Sequence, residues 1–212
     1  MLERITVDEL TFALANTKSG IYIAPERKKL ASGRMSCFYL NIGDLVPSYP
    51  EINDIAALAL VQTYETANET SNRVIGVPEG MNCLTATVKD MLWIGQLRVR
   101  ELQTGHGDQR SIEGYFEPGM KVAVFEDVMS TGGSTISRAI VPVKAAGLNP
   151  NVVIALVDRQ YGGISKIRNE FSIPTFAFTN TTAIVESLIR QNIPNDSEIR
   201  LLQQELTELT SI

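Results

Sequence analysis

Acids, hydroxyls and glycines are grouped between residues 121 and 135 in a pattern typical of a ligand-binding loop. The apolar run Val122 to Phe125 predicts a buried parallel strand that ends at the paired acids Glu126 and Asp127. The sequence STGGS, residues 130–134, follows and leads into an apolar-periodic helix. Backbone N–H groups, hydroxyls and a helix N-terminus suit a phosphate monoester, and carboxylates accept hydrogen bonds from the vicinal hydroxyls of ribose. An ordinary Gly-Gly turn is the alternative, and the acid pair favours a sugar-phosphate site.

Strands and helices are predicted to alternate on both sides of this loop. Apolar runs predict strands at residues 21–23, 37–40, 73–78, 97–100, 122–125, 151–158 and 176–178. Apolar periodicity predicts helices at residues 6–17, 52–67, 83–94, 134–146, 181–191 and 196–209. The alternation predicts an α/β fold, a parallel doubly wound sheet flanked by helices. The two strands before residue 45 predict a small N-terminal lobe, and the polar residues 103–114 predict a mobile loop.

The composition restricts the class of protein. With 212 residues and 44% apolar content, the chain is expected to form a single domain over residues 1–212. A net charge of −5 argues against nucleic-acid or membrane-surface binding, which usually needs a basic footprint. The N-terminus is not signal-like, and no apolar run reaches the ~18 residues of a membrane span. Cys37 and Cys83 fall in predicted core segments, so we expect reduced structural thiols in a cytoplasmic protein.

Three stretches of the chain resemble a known family. Four apolar residues, Glu-Asp, two residues and Ser-Thr-Gly-Gly-Ser resemble the phosphoribosyl pyrophosphate (PRPP) loop of type I phosphoribosyltransferases. LASGRMSCFYLN, residues 30–41, resembles the amino-terminal stretch of orotate phosphoribosyltransferases, and VDRQYGG, residues 157–163, resembles their DRQEGG stretch. These features extend from about residue 28 to residue 165, and the family they resemble is orotate phosphoribosyltransferase.

The resemblance implies a reaction and a set of site residues. The reaction is transfer of the phosphoribosyl group from PRPP to orotate, giving orotidine 5′-monophosphate and pyrophosphate, on a type I phosphoribosyltransferase fold whose hood is residues 1–45. PRPP binding is implied for Val128, Met129, Ser130, Thr131, Gly132, Gly133 and Ser134. Base binding is implied for Ser130, Arg159, Tyr39 and Leu40, with Arg159 meeting the orotate carboxylate. Catalytic roles are implied for Glu126, Asp127, Arg100 and His106.

The resemblance also implies a cofactor and an assembly. Mg²⁺ would be bound mainly through PRPP oxygens and water, with the acid pair nearby and no dedicated protein metal ligands. The partners would be PRPP and a nucleobase. A homodimer is expected, in which the mobile loop of one subunit reaches the site of the other.

The chain departs from the family around the pyrophosphate. Four family lysines are replaced, at Ala31, Gly80, Glu101 and Thr104. Lys28, Lys29 and Arg98 are neighbouring cations that would have to substitute for them. Three hypotheses follow: an orotate phosphoribosyltransferase with an altered pyrophosphate site, a phosphoribosyltransferase for another base, and a PRPP- or nucleotide-binding regulator without useful turnover. Arg159 favours the first hypothesis, and the lost lysines favour the third.

Overall fold

A six-stranded sheet lies at the centre of the computed structural model, which describes residues 4–29, 33, 35–100 and 111–209. The strands are β1 (Ile21–Lys29), β2 (Met35–Leu40), β3 (Arg73–Gly76), β4 (Gly95–Val99), β5 (Ile112–Glu113), β6 (Lys121–Met129), β7 (Asn149–Asp158) and β8 (Thr175–Asn180). The helices are α1 (Val7–Ala15), α2 (Ile42–Leu45), α3 (Pro50–Ala67), α4 (Asn82–Leu92), α5 (Gly133–Thr135), α6 (Val141–Ala145), α7 (Gly163–Phe171), α8 (Thr181–Arg190) and α9 (Asp196–Leu209), and a π-helical turn (Ile136–Ile140) joins α5 to α6.

The order of the strands places a crevice beside β6. The sheet runs β5-β4-β3-β6-β7-β8, and every adjacent pair is parallel except the antiparallel edge pair β4 and β5. From β3 the chain first moves outward to β4 and then returns to the other side of β3 with β6. The order therefore reverses between β3 and β6, where open α/β sheets form their ligand crevice. The predicted parallel, doubly wound sheet is confirmed, with β5 as an antiparallel addition.

Alternating strand residues fill two hydrophobic cores, one on each face of the sheet. Val74 and Phe125 belong to the core covered by α3, α4 and α8, whereas Ile75 and Val124 belong to the core covered by α6 and α7. Side chains of a strand alternate between faces, so a strand covered on both sides must be apolar throughout. This burial explains the continuous apolar runs from which the central strands were predicted.

The N-terminal segment forms a helix and a two-stranded antiparallel sheet. A capping box begins α1, because the Glu9 N–H donates to the Thr6 hydroxyl at 3.2 Å and the Thr6 N–H donates to the Glu9 carboxylate at 2.7 Å. Strands β1 and β2 pair from Ile21 with Leu40 onward, and Phe38 of β2 is fully buried. This hairpin lies next to the crevice, since Leu40 lines the cavity described below.

Some predicted boundaries were wrong. Strand β6 continues through Glu126 and Asp127 to Met129, because β7 pairs with it as far as Asp158. Cys83 is exposed, because Leu84 and Val88 carry the buried side of α4. The region predicted as a polar loop, residues 103–114, contains β5, and its residues 103–110 lie outside the described residues.

Helix α7 was not predicted, although Ile164, Ile167 and Phe171 have helical spacing. None of the helices in the described part of the chain is both long and apolar enough to cross a membrane.

Candidate active site

A cavity of about 590 Å³ opens at the carboxyl end of β6, between the STGGS loop (residues 130–134) and the hairpin. Its lining residues are Leu40, Asn41, Gly43, Asp127, Val128, Ser130, Thr131, Gly132, Gly133, Ser134 and Arg159. Asn41 and Gly43 were not predicted as site residues, although they directly follow β2, where a polar residue and a glycine mark a strand end. A second cavity of about 630 Å³ lies around Trp93 and Arg98, and neither the STGGS loop nor the acids Glu126 and Asp127 line it.

The STGGS loop is shaped by Gly132 and Gly163, which contact each other. Gly132 has a φ of +75°, a conformation that side chains with a Cβ rarely adopt, and it allows the turn from β6 into α5. The first helical hydrogen bond runs from the Ile136 N–H to the Gly132 carbonyl at 3.0 Å. The backbone N–H groups just before Ile136 are therefore at a helix start, where such groups can bind an anion. Gly163 packs beneath the loop, because a Cβ there would lie 2.5 Å from the Ser130 carbonyl oxygen.

The two acids of the loop have different environments. Asp127 lines the cavity and accepts a hydrogen bond from the Val128 N–H at 2.8 Å. Glu126 is 4% exposed, is not among the cavity-lining residues, and accepts a hydrogen bond from the Thr135 hydroxyl at 2.5 Å. Burial, with a smaller contribution from the charge of Asp127, raises the pKa of Glu126 to about 8, although the Thr135 hydroxyl opposes the shift. Asp127 therefore reaches the cavity, whereas Glu126 is buried against the start of the following helix through Thr135.

Arg159 is a buried cation at the other side of the cavity. Its residue is 9% exposed, its Nη2 donates to the Phe38 carbonyl, and its guanidinium lies 6.0 Å from the centre of the Tyr161 ring. Burial lowers its pKa from the ordinary arginine value, and nearby Tyr161 and Glu205 oppose this. The Nε is buried and has no hydrogen-bond partner within the described residues. An unpaired donor on a buried cation favours an anionic ligand at this end of the cavity.

The remaining predicted residues lie at different distances from the cavity. Ser130 lines it with a buried hydroxyl that has no partner among the described residues, and Met129 is 1% exposed beneath it. Leu40 also lines the cavity, whereas Tyr39 does not and donates its hydroxyl to the Ser36 carbonyl at 3.3 Å.

The described cations, apart from Arg159, lie outside the cavity lining. Arg100 is exposed after β4, and its N–H donates to the Ser111 carbonyl at 2.9 Å. Lys28 and Lys29 are exposed on β1, and Arg98 pairs with Glu113 at 4.0 Å. His106, Glu101, Thr104 and Ala31 lie outside the described residues.

Asp127 occupies the space next to Gly80, the position at which a family lysine was expected. A Cβ placed on Gly80 would lie 2.4 Å from Asp127 Oδ2, which is closer than real Cβ contacts allow. Gly80 therefore lets the loop after β3 approach the acid directly. Across the described ranges, no group of three or more His, Cys, Asp or Glu residues is arranged to hold a metal ion.

The comparison with known proteins identifies the family. No family model matches the chain. The orotate phosphoribosyltransferase of Aquifex aeolicus is 32% identical over 152 residues, a match that covers 70% of this chain and 81% of that protein. The chain belongs to the orotate phosphoribosyltransferase family.

Solved structures share the fold. A UMP synthase of Leishmania donovani superposes with a TM-score of 0.82 at 21% identity, covering 96% of this chain and 42% of that longer chain. This chain thus spans less than half of the Leishmania protein. An orotate phosphoribosyltransferase from Aeropyrum pernix superposes with a TM-score of 0.72 at 24% identity, covering 85% of this chain and 98% of that one.

Proposed function

We propose that this chain transfers the phosphoribosyl group of PRPP to orotate, producing orotidine 5′-monophosphate and pyrophosphate. One observation carries the proposal. Ser130 and Arg159, which line the cavity together with a carboxylate and a helix start, each have a buried donor without a partner among the described residues, the Ser130 hydroxyl and Arg159 Nε. This set of groups suits a ligand with a phosphate, sugar hydroxyls and a second anionic group.

Each part of the cavity has a role in this reaction. The loop from Ser130 to Ser134 would hold the 5′-phosphate, and Asp127 would accept hydrogen bonds from the ribose hydroxyls. Arg159 would pair with the orotate carboxylate and orient the base nitrogen toward the anomeric carbon. The new bond joins that nitrogen to the anomeric carbon as the bond from the carbon to the pyrophosphate oxygen breaks, and the proton of the nitrogen passes to the leaving pyrophosphate or to water. Because no protein group is required to form a covalent bond, catalysis would come from positioning and electrostatics.

We propose Mg²⁺ as the cofactor, bound mainly through PRPP. Asp127 is the one carboxylate among the described residues that line the cavity, and a single carboxylate fits a magnesium ion that keeps most of its ligands from substrate and water. When bound, the ion would offset negative charge on the leaving pyrophosphate. Asp127 would orient the ribose beside the ion and would not be a dedicated ligand of it.

A regulator that binds PRPP or a nucleotide without useful turnover is the second candidate. It is favoured by the cation content of the cavity, since Arg159 is the only lysine or arginine among the described lining residues. The two candidates share the binding steps and differ in the release of pyrophosphate.

The test mixes the protein with PRPP, Mg²⁺ and, in separate reactions, orotate, uracil, adenine and hypoxanthine, and measures both nucleotide and pyrophosphate. We expect product with orotate and little with the other bases. PRPP binding without pyrophosphate release would favour the regulator, and equal use of uracil or a purine would favour a different base.

Arg159→Ala tests the assignment of the base. Leaving a buried carboxylate without its cation costs about 3–5 kcal/mol, so orotate binding should weaken by roughly a hundredfold or more, with a smaller effect on PRPP. The matched control is Arg200→Ala, which removes an exposed arginine on α9 and should bind both substrates like the wild type. Unchanged orotate affinity in Arg159→Ala would rule out this assignment.

The assembly and location of the protein are also proposals. We propose a homodimer, as the family resemblance implies, and light scattering on a sizing column at several concentrations tests it. We propose a cytoplasmic enzyme, supported by the free cysteines Cys37 and Cys83, and fractionation of the source cells tests it.

A further inference from the structure

A buried carboxylate on the last helix joins three segments that are far apart in the sequence. Glu205 of α9 is 2% exposed. Its Oε1 accepts the Tyr161 hydroxyl at 3.2 Å, and its Oε2 accepts the Cys37 N–H at 3.2 Å. Arg27 Nη2 lies 3.5 Å from the same Oε2. The carboxylate thus connects α9 to both strands of the hairpin and to the loop between β7 and α7.

Both groups that contact Arg159 are linked to Glu205, one directly and one through the preceding residue. The Arg159 guanidinium contacts two neighbours, the Phe38 carbonyl and the face of the Tyr161 ring. Phe38 directly follows Cys37, whose N–H is fixed by Glu205, and the hydroxyl of Tyr161 is fixed by the other oxygen of Glu205. Glu205 therefore binds one neighbour of Arg159 directly and the residue before the other, although it is itself absent from the cavity lining.

The choice of a carboxylate at this position has a chemical reason. The groups that meet Glu205 are donors: a phenol, a backbone N–H and a guanidinium. A carboxylate accepts through both oxygens and donates through neither, so it satisfies all of them. A glutamine of the same shape would present its NH₂ in place of one oxygen, so it would either lose the Cys37 N–H or reverse the donor in its hydrogen bond with Tyr161, and it would carry no charge opposite Arg27.

We propose that Glu205 is a positioning residue for Arg159, and that the hydrogen bonds from Glu205 through Tyr161 and Cys37 set the affinity for the carboxylate of the base. This inference rests on the proposed function, in which Arg159 alone contacts that carboxylate. Glu205 acts through its two neighbours and does not touch the substrate.

The experiment compares three variants of the full chain under steady-state conditions. Glu205→Gln keeps the shape and removes one acceptor, and Tyr161→Phe keeps the ring beneath Arg159 and removes the hydroxyl. Glu208→Gln is the matched control, because Glu208 lies on the same helix and pairs with the same Arg27 but has a side chain that is 49% exposed. The KM values for orotate and for PRPP are measured separately for each protein, together with the melting temperature.

We expect Glu205→Gln and Tyr161→Phe each to raise the KM for orotate by about tenfold and to change the KM for PRPP by less than about twofold. Glu208→Gln should leave both values unchanged. A general loss of packing would instead lower the melting temperature and affect both substrates alike, which is why the difference between the two KM values is the decisive measurement.

Three results would contradict the inference. An unchanged KM for orotate in both variants, with wild-type turnover intact, would overturn the inference alone. Equal rises in both KM values would show a structural role. Absence of nucleotide formation by the wild-type protein would overturn the proposed function, and the inference with it. If Glu205→Gln does not fold, Tyr161→Phe decides the matter, since it removes only one hydroxyl.

Discussion

Replacing Glu126 by glutamine should change how the free energy of unfolding depends on pH. In the folded protein the pKa of Glu126 is about 8, whereas an ordinary glutamate has a pKa of 4.5. Between these values the unfolded chain has lost the proton and the folded chain retains it. The contribution of Glu126 to the free energy of unfolding is therefore fully present below about pH 4.5 and is lost as the pH rises toward 8.

The size of the effect follows from the pKa difference. One pKa unit corresponds to about 1.4 kcal/mol, so the wild-type protein should lose roughly 3 to 4 kcal/mol through this group between pH 5 and pH 8. Glutamine cannot ionise, and its carbonyl can still accept the hydrogen bond of the Thr135 hydroxyl. The variant should therefore gain stability relative to the wild type as the pH increases.

Urea unfolding at pH 5, 6, 7 and 8 measures this difference directly. The matched control is Glu51→Gln, a glutamate that is exposed in the first turn of α3. Its stability profile should stay parallel to that of the wild type. Parallel profiles for Glu126→Gln and the wild type, within about 0.5 kcal/mol, would refute the conclusion that Glu126 is held protonated near neutral pH.

Three further predictions concern Gly80, Gly132 and the pair Glu101 and Thr104. Gly80→Ala should displace the carboxylate of Asp127, which lies 2.4 Å from the added Cβ, and should reduce turnover by roughly a hundredfold; steady-state kinetics near wild-type values would contradict this. Gly132→Val should abolish PRPP binding in calorimetry and also lower the stability by about 1–2 kcal/mol, because valine is strained at a φ of +75°; PRPP affinity equal to that of the wild type would exclude a phosphate site there. Thr104→Lys combined with Glu101→Lys, both outside the described residues, should raise turnover at least roughly tenfold with a smaller gain in PRPP affinity, and an unchanged rate would show that other cations fill the role.

The sheet and the STGGS loop could be predicted from the sequence alone, because both depend on local patterns. The apolar runs of β6 and β7 are unusual outside a parallel sheet that is covered on both faces. The glycines that follow β6 mark a turn whose backbone conformation few other residue types adopt. Arg159 was also found from its sequence, since it directly follows a predicted strand in a family-like stretch.

Which of these residues lie together depends on the packing of distant segments. Glu126 and Asp127 are adjacent and chemically similar, yet packing buries one and exposes the other to the cavity, and this difference sets the pKa of Glu126. The close approach of Gly80 to Asp127 brings the loop after β3 against β6, and these two strands are not consecutive in the chain. The hydrogen bond between Tyr161 and Glu205 spans 44 positions. Contacts of this kind depend on how distant segments pack, and a pattern in a single sequence records only what neighbouring residues require.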